Sequence, residues 1–222
     1  MAGRDRVPTA REGTSTRERL VETAVRLFGE RGITATSLRA LTEAAGTNIA
    51  SVNYHFGSKE ALLRAVVEQT MHAVNDERRR LLDELESAPE PPTLAALVRA
   101  FVEPGLDLTD GRHVARFIGR VVGEPDPQVR QIFADQVHPV EGRYLAALGR
   151  ALPDLDEDRV RFAFANMLGL LGLHQSGAFT EVRWPQHPAA TSQTGPAEGE
   201  WLVAFITGGI LAISPSPGRA GP

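Results

Sequence analysis

Residues 36 to 65, TSLRALTEAAGTNIASVNYHFGSKEALLRA, carry two short helix signals on either side of a tight turn, followed by the start of a longer helix. The spacing predicts a first helix over Leu38–Ala45, stopped by Gly46, the residue that tolerates the left-handed backbone of a helix stop. Asn48 is a good N-cap for a second helix, Ile49–His55. Gly57 closes that helix, and Ser58 caps the next with Lys59 and Glu60 in its first turn. Two helices joined by a three- or four-residue turn containing Gly make a helix-turn-helix, whose second helix can enter a DNA major groove.

Upstream, Ser15-Thr16-Arg17-Glu18 fits a capping box, with Ser at the N-cap and Glu three residues on. A helix from there to about Arg31 places Leu20, Ala24, Leu27 and Phe28 on one apolar face, and Gly32 ends it. Leu38, Leu41, Ala45, Val52 and Phe56 complete a small three-helix core with it. About fifty residues is close to the smallest unit that supports its own core, so packing on the following helix is expected to matter. Residues 1–14 are polar and aperiodic and are expected to be a disordered arm.

The whole chain has 222 residues with 24 Lys+Arg against 28 Asp+Glu, enough for one large or two small domains. The charge is unevenly spread. Residues 1–60 hold nine Arg/Lys and seven Asp/Glu, which leaves 15 and 21 for the remainder. There is no Cys, hence no disulfide framework, thiolate nucleophile or Cys-based zinc site. The first fifteen residues contain no apolar signal-peptide core. The longest apolar run, Leu202–Ile213, is too short for a bilayer, which needs about 20 residues. A cytoplasmic protein with no membrane partner is expected.

Beyond residue 58 the pattern stays helical. A helix continues to about Leu85, where the Ala88-Pro89-Glu90-Pro91-Pro92 stretch breaks it. The charged run Asn75–Arg80 within it reads as a solvated face. Helical segments follow at Leu94–Val102, stopped by Pro104-Gly105, and at His113–Val122. The next runs from Pro127, well placed in a first turn, to about Leu152 with a kink at Pro139. Then come Glu157–Phe179, capped by Asp156, and Glu200–Ile213. Pro185–Gly199 is rich in Pro, Gly, Ser and Thr, and the tail over 214–222 is expected to be disordered. No strand pattern or repeat stands out, so the class is all-α: a helix-turn-helix domain over 15–60 and a second helical domain over 61–213.

The second helix of the motif presents Ile49, Ala50, Asn53 and Tyr54 away from core residues Val52 and Phe56. Small Ala50 allows close approach to DNA, and Asn53 can pair with an adenine edge. Tyr54, His55 and Lys59 can reach phosphate, and the free N–H groups near Ser37 offer an anion site. Thr36, Thr47 and Asn48, at the helix starts, complete the candidate DNA contacts.

The match is closer than a generic helix-turn-helix. From Ser15 to about Leu63 the sequence resembles the TetR family of transcriptional regulators, through LFGERGITATSLRALTEAAG and the exit HFGSKEALL. Many members have Tyr three residues before the Phe and a variable residue next. Here Asn53 and Tyr54 stand there, giving an NYHF-type recognition helix. The resemblance implies a homodimer binding a double-stranded, palindromic DNA operator, acting as a repressor and released by a small apolar or amphipathic effector. The body would bind the effector, and the last two helices would pair with their symmetry mates as a four-helix bundle. Phe162–Leu173 and Leu202–Ile213 are apolar enough for that role, and Gly169, Gly172, Gly208 and Gly209 would let helices approach closely.

For the effector, Phe101, Phe117, Phe133 and Met167 are candidates for an apolar wall, and His113, Arg116, Arg120, His138, Asn166 and His174 for polar contacts. A buried Arg usually has an anionic partner, so Arg116 or Arg120 in a pocket would suggest an anionic ligand. Two alternatives stand beside this one: a regulator gated by a protein partner or without effector, and a helical enzyme. No GxSxG, HExxH, P-loop or GxGxxG context appears, and the dispersed His lack metal-ligand spacing. Catalytic residues, metals and cofactors are therefore not expected.

Overall fold

The Ser15 hydroxyl accepts a bond from the Glu18 N–H, and the Glu18 carboxylate accepts the Ser15 N–H at 2.7 Å, closing the capping box of the first helix. The structure, a computed structural model, describes residues 15–108, 112–177 and 196–214. The arm expected over 1–14, most of the Pro185–Gly199 stretch and all but Ser214 of the tail lie outside them. In chain order the helices are α1 (Thr16–Arg31), α2 (Leu38–Ala44), α3 (Ile49–His55), α4 (Lys59–Ser87), α5 (Leu94–Leu106), α6 (Arg112–Val122), α7 (Pro127–Ala151), α8 (Glu157–Ser176) and α9 (Pro196–Ala212). The described residues contain no strand, and the fold is all-α.

Side-chain caps set most helix starts. Ser37, Asn48, Ser58, Thr93 and Asp156 each accept a bond from the backbone N–H three residues on. Each such cap is worth about 1 kcal/mol. The head, α1–α3, closes around Leu20, Ala24, Leu27, Phe28, Leu41 and Val52, all at most 1 % exposed. Leu62, Leu63 and Val66 at the start of α4 join the same core, so the head does not close without α4. In the body, α4 packs on α5 and α7, α6 crosses α8, and α9 lies along α5. Phe101 is the aromatic centre of the body, edge-on to Tyr144 at 5.1 Å and to Phe164 at 5.2 Å.

Two close approaches fix α6. A Cβ on Gly119 would lie 2.4 Å from the Ser176 nitrogen and 2.5 Å from the Gly172 oxygen, so only glycine lets α6 press its backbone against α8. A Cβ on Gly29 of α1 would lie 2.8 Å from the His113 oxygen, so α6 also rides directly on the head.

Several expected boundaries move. Helix α5 does not stop before Pro104-Gly105 but runs through both to Leu106. Proline removes one donor there, the turn is buried, and the Gln175 amide donates at 2.6 Å to the Gly105 oxygen, one of the carbonyls left free at the helix end. Helix α8 ends at Ser176, three residues early, because Gly177 takes a left-handed backbone with φ +68°. Helix α9 begins four residues early with Pro196 at its first position. The Asn75–Arg80 run is not uniformly solvated: Asn75 and Arg78 are buried.

Candidate nucleic-acid interface

Gly46, with φ +63°, turns the chain sharply after α2 and aims α3 across it. Helix α3 then has two distinct faces. Val52 is fully buried against the head core. On the opposite side Ile49 is 45 % and Tyr54 85 % exposed, and Ala50 and Asn53 are exposed beside them. A large apolar and an aromatic side chain standing in water beside an amide and a methyl group have the size and chemistry to meet base edges and phosphates. His55 is half-buried, with its ring 5.0 Å from that of Tyr54 in an edge-on arrangement.

The remaining candidates divide by what already holds them. Asn48 uses its side-chain oxygen to cap α3 at Ser51, and Ser37 caps α2 at Ala40, so both helix starts are pre-formed at the surface. Thr47 is half-buried, its N–H bonded to the Thr42 oxygen. Thr36 is turned inward, 1 % exposed, with its hydroxyl donating to the Gly32 oxygen at 2.7 Å. That side chain shapes the turn after α1. Lys59 folds back to donate to the Ile33 oxygen at 2.8 Å. Burial pushes its pKa below the usual lysine range, with Glu60 opposing the shift. Arg17, which the sequence alone did not single out, lies with its guanidinium 5.3 Å from the Phe56 ring centre at the same end of the head.

The effector candidates are not gathered around one cavity among the described residues. Phe101 and Met167 are buried in the body core, as is Phe133. Phe117 instead stacks on Phe28 of the head, 6.1 Å between ring centres. His113 lies 3.9 Å from Glu30, and Arg120 donates to the Gly29 and Glu30 oxygens, so both belong to the head–body junction. Arg116, half-buried on α6, lies alongside them, with its side chain near Gly29. His138 and Asn166 are exposed. His174 is half-buried and its Nε2 has no hydrogen-bond partner among the described residues. Two open clefts flank the junction. One of about 570 Å³ lies between Gly32, Arg120 and Leu173, and another of about 510 Å³ between Val21, Gln69 and His113. A smaller one of about 170 Å³ separates α8 from α9 at Met167 and Ile206.

Sequence reasoning missed Arg78. Its signal was the spacing Val67, Met71, Val74, Arg78, Leu82, which puts the arginine on the apolar stripe of α4 despite its charged neighbours. Arg120 lines the larger cleft at the junction and at the same time donates to the carbonyl end of α1.

A helix-turn-helix head with an exposed second helix, carried on a larger helical body, defines a DNA-binding regulator. The chain belongs to the TetR family: a model of the tetR family of bacterial regulatory proteins matches residues 20–66, and a tetracyclin repressor-like C-terminal domain model matches 95–209. It is thus a transcriptional regulator of the DNA-binding repressor type and not an enzyme. Among relatives, ArpR of Pseudomonas putida, a probable HTH-type transcriptional regulator, is 31% identical over 94% of this chain and 97% of its own. The HTH-type transcriptional repressor KstR2 of Mycolicibacterium smegmatis is 26% identical over 91% of this chain and 94% of its own. Among solved structures, SmeT, the repressor of the Stenotrophomonas maltophilia multidrug efflux pump SmeDEF, shares the fold at TM-score 0.59 and 20% identity, covering 94% of this chain and 97% of SmeT. No described helix is long and apolar enough to cross a membrane.

Proposed function

We propose that this protein is a homodimeric, cytoplasmic repressor that reads one half of a palindromic operator with α3 of each protomer and leaves DNA when a small apolar or amphipathic effector enters the helical body. The observation that carries this reading is the two-faced α3, fully buried at Val52 and 85 % exposed at Tyr54. Residues 15–60 form the DNA-binding head, with Ser37, Thr47, Asn48, Ile49, Ala50, Asn53, Tyr54, His55 and Lys59 toward DNA and the Thr36 backbone at the helix start. Residues 61–213 form the effector and dimer domain.

The surface of α8 and α9 supports the dimer. Phe162, Leu173, Trp201, Phe205 and Leu211 are 40–68 % exposed, far more apolar surface than a solvated pair of helices normally shows. Gly169, Gly208 and Gly209 face open space, where a second helix could come close.

The test is footprinting on DNA upstream of the protein's own gene, with band-shift titrations across salt. The expected result is a symmetric protected site with two half-sites and affinity falling steeply with salt, as phosphate contacts release counterions. A flat salt dependence, or no protected site, overturns the reading.

A further inference from the structure

The larger cleft at the junction, about 570 Å³, is bounded by Gly32 after α1, by Arg120 and Glu124 on and after α6, and by Gly169 and Leu173 on α8. Small-molecule sites typically span about 300–1,000 Å³. Two charges line this cleft without an oppositely charged partner among the described residues. Arg120 donates through Nε to the Gly29 oxygen at 2.8 Å and through Nη2 to the Glu30 oxygen at 3.3 Å, and its Nη1 forms no hydrogen bond to the described residues. The Glu30 carboxylate lies against Arg26 and His113 instead. Helix α6 ends at Val122, so Glu124, four positions after Arg120, leaves the helical path. It is half-buried, and its carboxylate is likewise unpaired among the described residues.

A structural role for Arg120 is the competing account, since an exposed cation at the carbonyl end of a helix is favourable in water. That role uses Nε and Nη2. It makes no demand on Nη1, on the half-buried carboxylate, or on the space between them. Leu173, 40 % exposed, adds an apolar wall to the same space. One cavity thus offers a cation, an acceptor and an apolar surface, the mixture that fixes a small ligand in one orientation.

We infer that this cleft is the effector site, and that the effector is an organic acid carrying a hydroxyl. Its carboxylate meets the terminal nitrogens of Arg120, its hydroxyl donates to Glu124, and its apolar part lies against Leu173. Planar guanidinium matches a carboxylate with two parallel, charge-assisted bonds. An acid that takes both Nη1 and Nη2 replaces the 3.3 Å contact to the Glu30 oxygen, the longer half of the α1 cap. It thereby loosens the tie between α6 and the head, and operator affinity falls. By linkage, the operator weakens acid binding by the same factor. Gly169 and Leu173 also belong to the α8 face used by the dimer reading, so the cleft lies where head, body and partner meet. This inference rests on the proposal that a small effector releases the protein from DNA.

The test is calorimetric titration of the full-length protein with 4-hydroxyphenylacetate and 3-phenyllactate. Each is set beside its neutral primary amide and beside the acid lacking the hydroxyl, phenylacetate or 3-phenylpropionate. The expected result is that at least one hydroxy acid binds roughly tenfold or more tighter than its amide, since charge-assisted bonds are about twice as strong as neutral ones. The hydroxyl should add roughly fivefold. Arg120→Gln should abolish the preference for acid over amide, and Glu124→Ala should abolish the hydroxyl advantage. Equal binding of acid and amide, no binding by any acid, a preference that survives Arg120→Gln, or a hydroxyl advantage that survives Glu124→Ala overturns the inference. The wild-type comparison decides even if a variant fails to fold. Band-shift titrations on the operator run in parallel, and an operator affinity left unchanged by saturating acid also overturns it. Operator binding without acid preference removes only this site, whereas acid preference without operator binding removes only the regulator reading.

Discussion

Arg120 Nε lies 2.8 Å from the Gly29 carbonyl oxygen. An arginine of the body thus closes the last turn of a head helix, where free carbonyls and the negative end of the helix dipole favour a cation. The Arg120 Nη2 contact to the Glu30 oxygen, at 3.3 Å, extends the same cap. Arg120→Ala should destabilise the protein by about 1 kcal/mol, the net worth of a partly exposed bond of this kind. Hydrogen exchange should speed up in residues 26–33 with little change in α7. Uniform exchange across the chain would show that the contact does not hold the junction.

Gly119 is where α6 and α8 touch backbone to backbone. Gly119→Ala should cost about 1–3 kcal/mol by overpacking, read in a urea titration as a lower midpoint at unchanged slope. Gly149→Ala, on α7 with open space at its Cβ position, is the matched control. It should be neutral or stabilising, because alanine favours helix by up to about 1 kcal/mol.

Tyr54 and Lys59 are expected to separate in their effects. Tyr54→Ala removes an 85 % exposed ring and should weaken operator binding roughly tenfold while leaving the melting temperature unchanged. Lys59→Ala removes a phosphate candidate and also the bond to the Ile33 oxygen, so affinity and stability should fall together, the latter by about 1 kcal/mol. Unaltered affinity in both variants removes them from the interface.

Trp201 and Phe205 project from α9 at 68 % exposure each. Phe205→Glu should shift sedimentation at micromolar concentration from dimer toward monomer while the circular dichroism stays helical. A wild-type monomer under the same conditions contradicts the assembly.

Two carboxylates tie distant helices and set an acid limit. Hydrogen bonds from Arg64 and Arg99 hold Asp135 and Glu200 below the usual carboxylate range, joining α4 to α7 and α5 to α9. A depressed folded pKa gives stability that is present above the unfolded value, about 4 for these side chains, and is lost as pH falls through the folded value. The wild type should therefore melt above an Asp135→Asn/Glu200→Gln variant at pH 6, and the two should converge below roughly pH 4. A gap that persists in acid would place the stabilisation elsewhere.

The head was legible in the sequence because its signals are local. Ser15, Ser37, Asn48 and Ser58 cap within three residues, and Gly46 and Gly57 mark turns whose φ values are +63° and +85°. The body was less so, since its distinguishing contacts join residues far apart in the chain. The C-terminal turn of α5 is closed by Gln175, 70 positions later. That Arg120 serves the head depends on Gly29, 91 positions earlier. Residue type and helix position alone do not say that Phe117 faces Phe28 whereas Phe101 faces Tyr144. Arg78 was hidden by its neighbours, since a run of charges looks solvated until each position is placed on its own face of the helix.

The bond from Lys59 to Ile33 has a mechanical consequence. It pins the first residue of α4 to the loop that follows α1, so the head and the top of α4 turn as one piece. From Lys59 to Arg78 the helix is a rod of roughly 28 Å at 1.5 Å per residue. A tilt of about 5° about the Arg78 end would sweep the top of that rod through about 2.5 Å at this length. On the proposed effector reading that rod would act as a lever arm, and a small adjustment in the body would reach α3 as a displacement comparable to a hydrogen-bond length.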